Sequence, residues 1–296
     1  MAGLREGSVM SLGNLAEIHR YPVKSMQGER LDRVWIAEDG MRGDRQWAAR
    51  DEGRGGIEGA RKLPALLDCS ARYRETVLDA GANPIPEVRL PSGKTFSADD
   101  RILARELSSL TGRELTLWPR LPASEQAHYR RGAPDHEDML EELRAIFARL
   151  PDEPLPDLGK LPQAIMISST LPGSYFDCYS IFLLSRATLA TMQARYPASI
   201  FDARRFRPNL LLDTDATEGF PENAWVGKRL RIGEAVFDIV TECPRCAMTT
   251  RAFADLPKDP KVMRALVQAN GGNLGVYAWV DTPGRVCEGD SIELVE

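Results

Sequence analysis

Short strand-forming runs separated by turn signals dominate this sequence, and they constrain its fold more than any other feature. Residues 32–53 read DRVWIAEDGMRGDRQWAARDEG, in which EDG, RGD and DEG interrupt β-type stretches. Towards the C-terminus PNLLLD, KRLRIG, AVFDIVTE, NLGVYAWVD and DSIELVE have the same character. Closely spaced short strands are typical of barrels and sandwiches, whereas doubly wound folds alternate strands and helices regularly. The sequence therefore predicts a mainly β protein with a few helices, in the α+β class.

Four helical patterns interrupt the strands. The first is predicted to begin after a Ser97 cap and to end at Gly112. The second is predicted to follow an Asp135 cap, and it carries an apolar stripe of helical period as far as Leu150. The other two are SRATLATMQARYP, with Ser185 as its cap, and DPKVMRALVQANGG. QAIMIS, by contrast, is predicted as a strand. The residues predicted for the core include Trp35, Trp47, Trp225 and Trp279.

Length and composition set limits on the organisation and the partners of the chain. With 296 residues the chain is long enough for about two domains. The composition shifts from about Leu121 to Gln163, and the prolines that follow the helix in this segment, Pro154, Pro156 and Pro162, indicate an irregular linker. The net charge of −5 argues against bulk nucleic-acid binding, which needs a basic surface. No apolar run approaches the roughly 18 residues of a membrane span, and the N-terminus lacks a signal-peptide core. We therefore expect a cytoplasmic protein with no nucleic-acid or membrane partner.

The C-x-x-C pair in TECPRCAMTT has three chemical interpretations. A structural zinc site needs four ligands, usually as two pairs, and this chain has neither a second C-x-x-C nor histidines at ligand spacing. A thioredoxin-like dithiol needs its cysteines at the start of a helix, and AMTTRAFAD is weak helix-forming sequence. A single thiolate that serves a metal is the third, and Arg245 beside Cys246 would favour the charged form. From spacing alone, this third interpretation is no better supported than two buried cysteines.

Several segments, in order along the chain, carry a family resemblance. They are YPVKSMQG, GDRQWA followed by ARKLPAL, LLSRATL, FRPNLLLD, CPRCAMTT and NLGVYAWVDTPGRVCEGDSIEL. On these segments the chain resembles the MOSC proteins, named after the C-terminal domain of molybdenum cofactor sulfurase, of the type that carries an N-terminal β-barrel domain. The resemblance extends from about Leu12 to Glu296. It implies a β-barrel-like N-terminal domain at residues 10–120 and a MOSC β-barrel domain at residues 121–296.

The resemblance also implies that the chain binds the molybdenum cofactor, a molybdenum–molybdopterin complex, with Cys246 as the catalytic metal ligand and Cys243 as a neighbour. Molybdopterin holds the metal through a dithiolene and carries a phosphate at its other end, so a protein must supply donors near the phosphate. The cofactor-binding residues implied are Lys24, Ser25, Arg45, Arg61, Arg207, Asn209, Arg245 and Thr249. Without the resemblance, a solvated surface is the better explanation for charged residues such as these. Arg204 and Arg205 are expected on the surface. Asp177 could reach the site, although a turn cap is the better explanation for it.

The function that the resemblance implies is that of an oxidoreductase. It would reduce N-hydroxylated compounds such as amidoximes and hydroxylamines by oxygen-atom transfer to molybdenum. An alternative from a different class is a molybdenum cofactor carrier or sulfur-transfer protein that uses a persulfide on Cys246, because MOSC domains occur in both settings. The chain ends at DSIELVE with no four-cysteine cluster motif. The expected partners are therefore a small N-hydroxylated substrate and a separate electron donor from a ferredoxin- or cytochrome-type reductase chain.

Overall fold

The structure is a computed structural model that describes residues 11–74 and 84–295, so residue 10, the predicted start of the first domain, lies outside it. The strands are β1 (Ser11–Arg20), β2 (Glu29–Leu31), β3 (Arg33–Ala37), β4 (Gly40–Met41), β5 (Trp47–Asp51), β6 (Gly56–Ile57), β7 (Ser70–Arg72), β8 (Glu87–Arg89), β9 (Thr95–Ser97), β10 (Leu115–Pro119), β11 (Ile181–Ser185), β12 (Leu210–Thr214), β13 (Arg229–Ile232), β14 (Ala235–Pro244), β15 (Asn273–Thr282), β16 (Gly284–Cys287) and β17 (Ser291–Val295). The α-helices are α1 (Arg101–Thr111), α2 (Gln126–Tyr129), α3 (Met139–Phe147), α4 (Arg186–Arg195), α5 (Ala203–Phe206) and α6 (Lys261–Asn270). The predicted mainly β, α+β class is confirmed. Within the described ranges, none of the helices combines the length and the apolar character needed to cross a membrane.

Seven strands close into a barrel that holds the largest hydrophobic core. The large sheet has the order β12-β11-β15-β14-β13-β17-β1-β2, and β12 also pairs with β1, which closes the sheet on itself. Across this closing pair Leu15 lies opposite Leu212 and Ile18 opposite Leu210, and all four side chains are buried in one core. Closure pairs the strand edges that would otherwise be exposed. The barrel therefore gives the site a rigid wall.

A second core lies beside the barrel and is built mostly from residues that follow β1. Two three-stranded sheets, ordered β10-β5-β6 and β7-β8-β9, surround it, and α1 packs against it through Leu103 and Leu107. The chain leaves the barrel at Arg20, where β1 ends, and Val23 and Met26 already belong to the second core. The YPVKS segment is therefore the connection between the two cores. Strand β1 pairs with β17, and β3 pairs with β16. Strands from the first 120 residues therefore belong to the same sheets as strands near the C-terminus.

Two of the predicted helix caps are wrong, and one is confirmed. Helix α1 is capped by Asp100, whose carboxylate accepts from the Ile102 N–H at 2.7 Å, rather than by Ser97. Helix α3 is capped by Asp138 and not by Asp135. In both cases an aspartate directly before the first helical residue accepts from the first turn, and a side chain three residues earlier lies outside that turn. Ser185 caps α4 as predicted.

The predicted strand at QAIMIS and two of the predicted core tryptophans are also wrong. Residues Gln163–Met166 form a short 3-10 turn rather than a strand, and Pro162, with its fixed backbone angle, begins that turn. Trp47 and Trp225 are buried as predicted. Trp35 and Trp279 are more than one third exposed. Trp35 alternates along β3 with fully buried neighbours, so its side chain points outward from the sheet.

One buried carboxylate makes stability depend on pH. Glu222 is fully buried and accepts hydrogen bonds from the backbone N–H and hydroxyl of Ser185, at 3.3 and 2.6 Å, and from the Thr188 hydroxyl at 2.8 Å. Burial raises the pKa of Glu222, and these hydrogen bonds oppose that effect only in part. The stability linked to a raised carboxyl pKa is present at low pH and is lost as the pH rises through the folded-state pKa.

We expect Glu222→Gln, which cannot ionise, to gain thermal stability relative to the wild type as the pH rises above the unfolded pKa of a glutamate, about 4.3. Melting temperatures measured across a pH series check this. Glu218→Gln, at an exposed position four residues earlier, is the control and should change little at any pH. Melting temperatures that change with pH in the same way for the wild type and Glu222→Gln would contradict the prediction.

Candidate cofactor-binding site

A cavity lies where the YPVKS connection meets the barrel. Its walls come from segments far apart in sequence and consist of Lys24, Ser25, Arg45, Asp177, Tyr179, Phe182, Phe206, Arg207, Asn209, Arg245, Met248 and Tyr277. Six of the sequence-predicted site residues are brought together here: Lys24, Ser25, Arg45, Arg207, Asn209 and Arg245. Their roles towards a cofactor remain predictions.

Lys24 forms an ion pair within the cavity lining. Its ammonium donates to the Asp177 carboxylate at 2.5 Å and to the Tyr175 carbonyl at 3.1 Å. Partial loss of solvation beside the cavity acts to raise the pKa of Asp177, but the charge and hydrogen bond of Lys24 together with the charges of Arg45 and Arg207 outweigh it, so the pKa of that carboxyl is lowered. Asp177 therefore reaches the site, which is the interpretation that the sequence favoured less, and it pairs with Lys24 there. Asp177 is exposed and therefore lies at the mouth.

A buried carboxylate, Asp44, holds other residues of the cavity wall. It accepts from the Tyr21 backbone N–H at 2.7 Å, from Asn209 Nδ2 at 3.0 Å and from the Arg45 guanidinium. Burial acts to lower the pKa of Arg45, but the charge and hydrogen bond of Asp44 together with the contributions of Tyr21 and Asp177 outweigh it, so this pKa is raised. Sequence reasoning missed Asp44, although it lies inside the GDRQWA segment. Its contacts fix both a cation and an amide in the cavity wall.

Two guanidinium groups pack against one tyrosine ring. Arg207 lies 4.1 Å and Arg45 lies 5.0 Å from the ring centroid of Tyr21, which is buried. The negative face of an aromatic ring attracts cations, and the attraction strengthens where water is excluded. Burial, aided by the nearby charge of Arg45, lowers the pKa of Arg207 to about 10. Arg207 therefore remains a cation at neutral pH, and Tyr21 is a second contributor that sequence reasoning missed.

One donor of this pair lacks a partner. Arg207 Nη1 donates to the Met26 carbonyl at 2.7 Å. Its other terminal nitrogen, Nη2, is buried and has no hydrogen-bond partner among the described residues. A buried unsatisfied donor costs about 1–3 kcal/mol, so an unpaired guanidinium nitrogen in a cavity wall indicates a position for an acceptor ligand.

The backbone of the cavity is strained at three lining residues. Ser25, Arg45 and Arg207 have φ values of 71°, 47° and 59°, in the left-handed region that non-glycine residues avoid. Each such residue costs on the order of 1–3 kcal/mol, and such residues cluster at functional sites. Arg207 adopts this conformation as the residue that ends α5, and its N–H donates to the Ala203 carbonyl. The fold thus holds these side chains in place against a local energetic cost.

Cys246 lies next to the cavity rather than in its wall. It is half-buried and begins the 3-10 turn Ala247–Thr250, while its neighbours Arg245 and Met248 line the cavity. The Cys246 carbonyl accepts from the Thr249 hydroxyl at 3.0 Å. Thr249 is fully buried and supports this turn without lining the cavity. In the described ranges, no three His, Cys, Asp or Glu side chains group as a metal site.

Arg61 lies outside the cavity lining. Its guanidinium lies 3.8 Å from Asp135 and 3.9 Å from Glu142, which links the loop after β6 to the region of α3. Its backbone carbonyl accepts from Arg251 Nη2 at 2.7 Å, in the segment after the cysteine turn. The contacts that the structure records for the Arg61 side chain are therefore ion pairs between segments of the chain.

The expected surface position of Arg205 is wrong, whereas Arg204 is exposed as expected. Arg205 is only 1% exposed, and it donates to the carbonyls of Ile200, Arg251 and Pro257 at 3.0, 3.1 and 2.7 Å. These backbone acceptors satisfy the buried guanidinium. Their convergence depends on the tertiary fold, so no local sequence pattern could reveal it. Arg205 holds the chain that follows the cysteine turn.

Two family models match the chain, one after the other. The MOSC N-terminal beta barrel domain matches residues 12–114, and the MOSC domain matches residues 171–293. Mitochondrial amidoxime reducing component 2 from Bos taurus is 26% identical over 254 residues, which cover 83% of this chain and 68% of that protein. The protein of the same name from Rattus norvegicus is 35% identical over 77 residues, which cover 26% of this chain and 21% of that protein.

Solved structures with detectable likeness include two bacterial proteins. The YUAD protein from Bacillus subtilis is 13% identical, with a TM-score of 0.45 and 97% of each chain covered. YiiM from Geobacillus stearothermophilus is 21% identical, with a TM-score of 0.31, and the match covers 40% of this chain and 55% of that one. The two family models, in the order that the sequence motifs predict, are the stronger finding. The chain belongs to the MOSC-domain proteins that carry an N-terminal MOSC β-barrel domain.

Proposed function

We propose that this chain binds the molybdenum cofactor in the cavity between its two cores and reduces N-hydroxylated compounds such as amidoximes and hydroxylamines. The observation that carries the proposal is the unpaired, buried Nη2 of Arg207 in a wall that also presents Lys24, Arg45 and Arg245, beside the half-buried thiol of Cys246. The similarity to proteins named amidoxime reducing components supports the choice of substrate class.

The charges around the cavity fit the phosphate end of such a cofactor. Four lining cations face two carboxylates, Asp44 and Asp177, so the polar wall keeps a net positive charge. Guanidinium groups bind phosphate through charge-assisted, often bidentate hydrogen bonds. The unpaired Nη2 of Arg207 could donate to a phosphate oxygen without breaking an existing hydrogen bond. Asn209 and Tyr21 hold the guanidinium groups in place, so little ordering remains to be done on binding.

Other groups in and beside the cavity suit the metal of the cofactor and the organic substrate. Bound cofactor supplies two-electron redox chemistry at its molybdenum. Cys246 offers a thiolate, a soft ligand that suits such a metal, on a turn held by Thr249. Tyr179, Phe182 and Phe206 form an aromatic wall that excludes water from a bound organic substrate. Because each reduction consumes two electrons, we also propose a separate ferredoxin- or cytochrome-type donor.

Analysis of the metal and pterin in the purified protein, together with an amidoxime reduction assay that uses an artificial electron donor, tests the proposal. We expect about one molybdenum and one pterin per chain, and turnover that depends on both. Tightly bound, redox-active molybdenum favours the enzyme over a cofactor carrier or a sulfur-transfer protein with a persulfide on Cys246. Zinc in place of molybdenum would overturn the proposal.

Arg45→Ala should weaken cofactor retention while the protein stays folded. Loss of a charge-assisted contact to phosphate costs about 1.5–3 kcal/mol, or roughly a 10- to 150-fold loss of affinity. Pterin and molybdenum content after gel filtration measure it, and a melting curve reports folding. Arg204→Ala is the matched control, because Arg204 is exposed and paired with Asp202 and Asp255. Cofactor content unchanged from the wild type in Arg45→Ala would show that Arg45 does not bind the cofactor.

A further inference from the structure

Arg245 stands in the aromatic part of the cavity wall and is held from several sides. Its guanidinium carbon lies 4.7 Å from the ring centroid of Phe182 and 5.7 Å from that of Phe206. Nη2 donates to the Phe206 carbonyl at 2.7 Å, and the backbone N–H donates to the Gly272 carbonyl at 2.9 Å. Its Nε is buried and has no hydrogen-bond partner in the described part of the chain. Arg245 therefore keeps one donor that the protein does not use.

The remaining anchor of this guanidinium is a sulfur atom. Cys243, at the end of β14, is fully buried, and its Sγ accepts from Arg245 Nη1 at 2.7 Å. The same thiol is hydrogen-bonded to the side chain of Tyr277, another cavity residue. Three side chains thus form one buried network that reaches the cavity at two points.

We infer that Cys243 is a positioning residue, whose sulfur holds the Arg245 guanidinium and the Tyr277 hydroxyl in the cavity wall. The inference concerns the ligand of this same site, so it rests on the proposed function. It gives the first cysteine of the C-x-x-C pair a role of its own, distinct from that of Cys246.

The chemistry of the acceptor explains why a thiol suits this position. An apolar side chain would leave Nη1 of Arg245 buried without a partner, at a free-energy cost. A carboxylate would hold the guanidinium more strongly, but it would also neutralise one of the four cations that face the cavity. A thiol is a weak, polarisable acceptor. It fixes the direction of Arg245 while leaving its charge to act on a bound anion.

Serine and alanine at position 243 separate positioning from packing, because the two side chains have similar size and only serine has an acceptor. We expect Cys243→Ser to retain the wild-type cofactor content within about twofold, and Cys243→Ala to lose affinity by about tenfold or more, as for one hydrogen bond to a charged group. Both cofactor-free variants should fold, and Cys243→Ala should melt below Cys243→Ser because Nη1 of Arg245 loses its buried acceptor. In an Arg245→Met background, the change from Cys243 to Ala should cost less cofactor affinity than it does in the wild type, because only the contact to Tyr277 remains to be lost.

Crystal structures of the wild type and of Cys243→Ala decide the case without reference to activity. A displaced or disordered Arg245 guanidinium in Cys243→Ala, with an ordered one in the wild type, supports the inference. A guanidinium that stays in place overturns it, and so does an equal loss of cofactor in Cys243→Ser and Cys243→Ala. If the wild type holds no pterin, the proposed function fails, and the position of Arg245 in the two structures still tests this inference.

Discussion

Cys246→Ser is expected to abolish most turnover, whereas Cys243→Ser keeps it. The substitution replaces a soft thiolate with a mostly protonated hydroxyl, which is a poor ligand for a metal that prefers sulfur. Changes to groups one step removed from a metal typically cost roughly 10–100-fold in metal affinity or activity, so loss of a direct ligand should exceed that. The half-buried position of Cys246 at the start of its turn accommodates serine without a packing defect.

X-ray absorption at the molybdenum edge, combined with steady-state kinetics, checks this result. The Cys246→Ser protein should show one metal-bound sulfur fewer than the wild type, and Cys243→Ser should show the full set. Cys243 is the matched control because it is the same residue type three positions away, fully buried and hydrogen-bonded to Arg245. A sulfur lost in the Cys243 variant instead would reverse the assignment of the two cysteines.

The prediction of the fold from sequence succeeded where the signal is local. Strand-forming runs with turns between them predicted the α+β, mainly β class, and Ser185 capped its helix as expected. Local patterns failed where neighbouring candidates compete, as for the aspartates Asp100 and Asp138, which cap instead of residues three positions earlier. The closing pair between β1 and β12 joins residues about 200 positions apart, and no local pattern could reveal it.

For the candidate site, too, sequence reasoning identified residues within local motifs but missed those that act through contacts across the fold. The motifs predicted Lys24, Arg45 and Arg207, and these three lie in one cavity. Motifs do not show which groups hold such residues in place, because a carboxylate like Asp44 and a ring like that of Tyr21 act through contacts across the fold. Asp44 nevertheless lies inside a matched segment, directly before Arg45, and a buried cluster of cations needs a nearby anion. The need for such an anion is the signal from which sequence reasoning could have identified Asp44.

Asp44→Asn is expected to cost about 3–5 kcal/mol of the free energy of unfolding, as for removal of one partner from a buried charge pair. The carboxylate is fully buried and accepts from Tyr21, Asn209 and Arg45. An asparagine there turns an NH₂ group towards one of these donors. It also leaves the buried guanidinium groups of Arg45 and Arg207 without their compensating charge. Denaturant unfolding of the cofactor-free protein measures the loss.

The matched control for this prediction is Asp255→Asn, which removes an exposed partner of Arg204 and should change stability little, because exposed ion pairs contribute little to stability. Added phosphate should restore part of the stability of Asp44→Asn, because an anion that binds only the folded state stabilises it by mass action. The restored fraction should exceed the effect of phosphate on the Asp255 variant, since the anion would replace the missing charge beside Arg45 and Arg207. Equal losses in the two variants would show that Asp44 does not hold these cations in the folded protein.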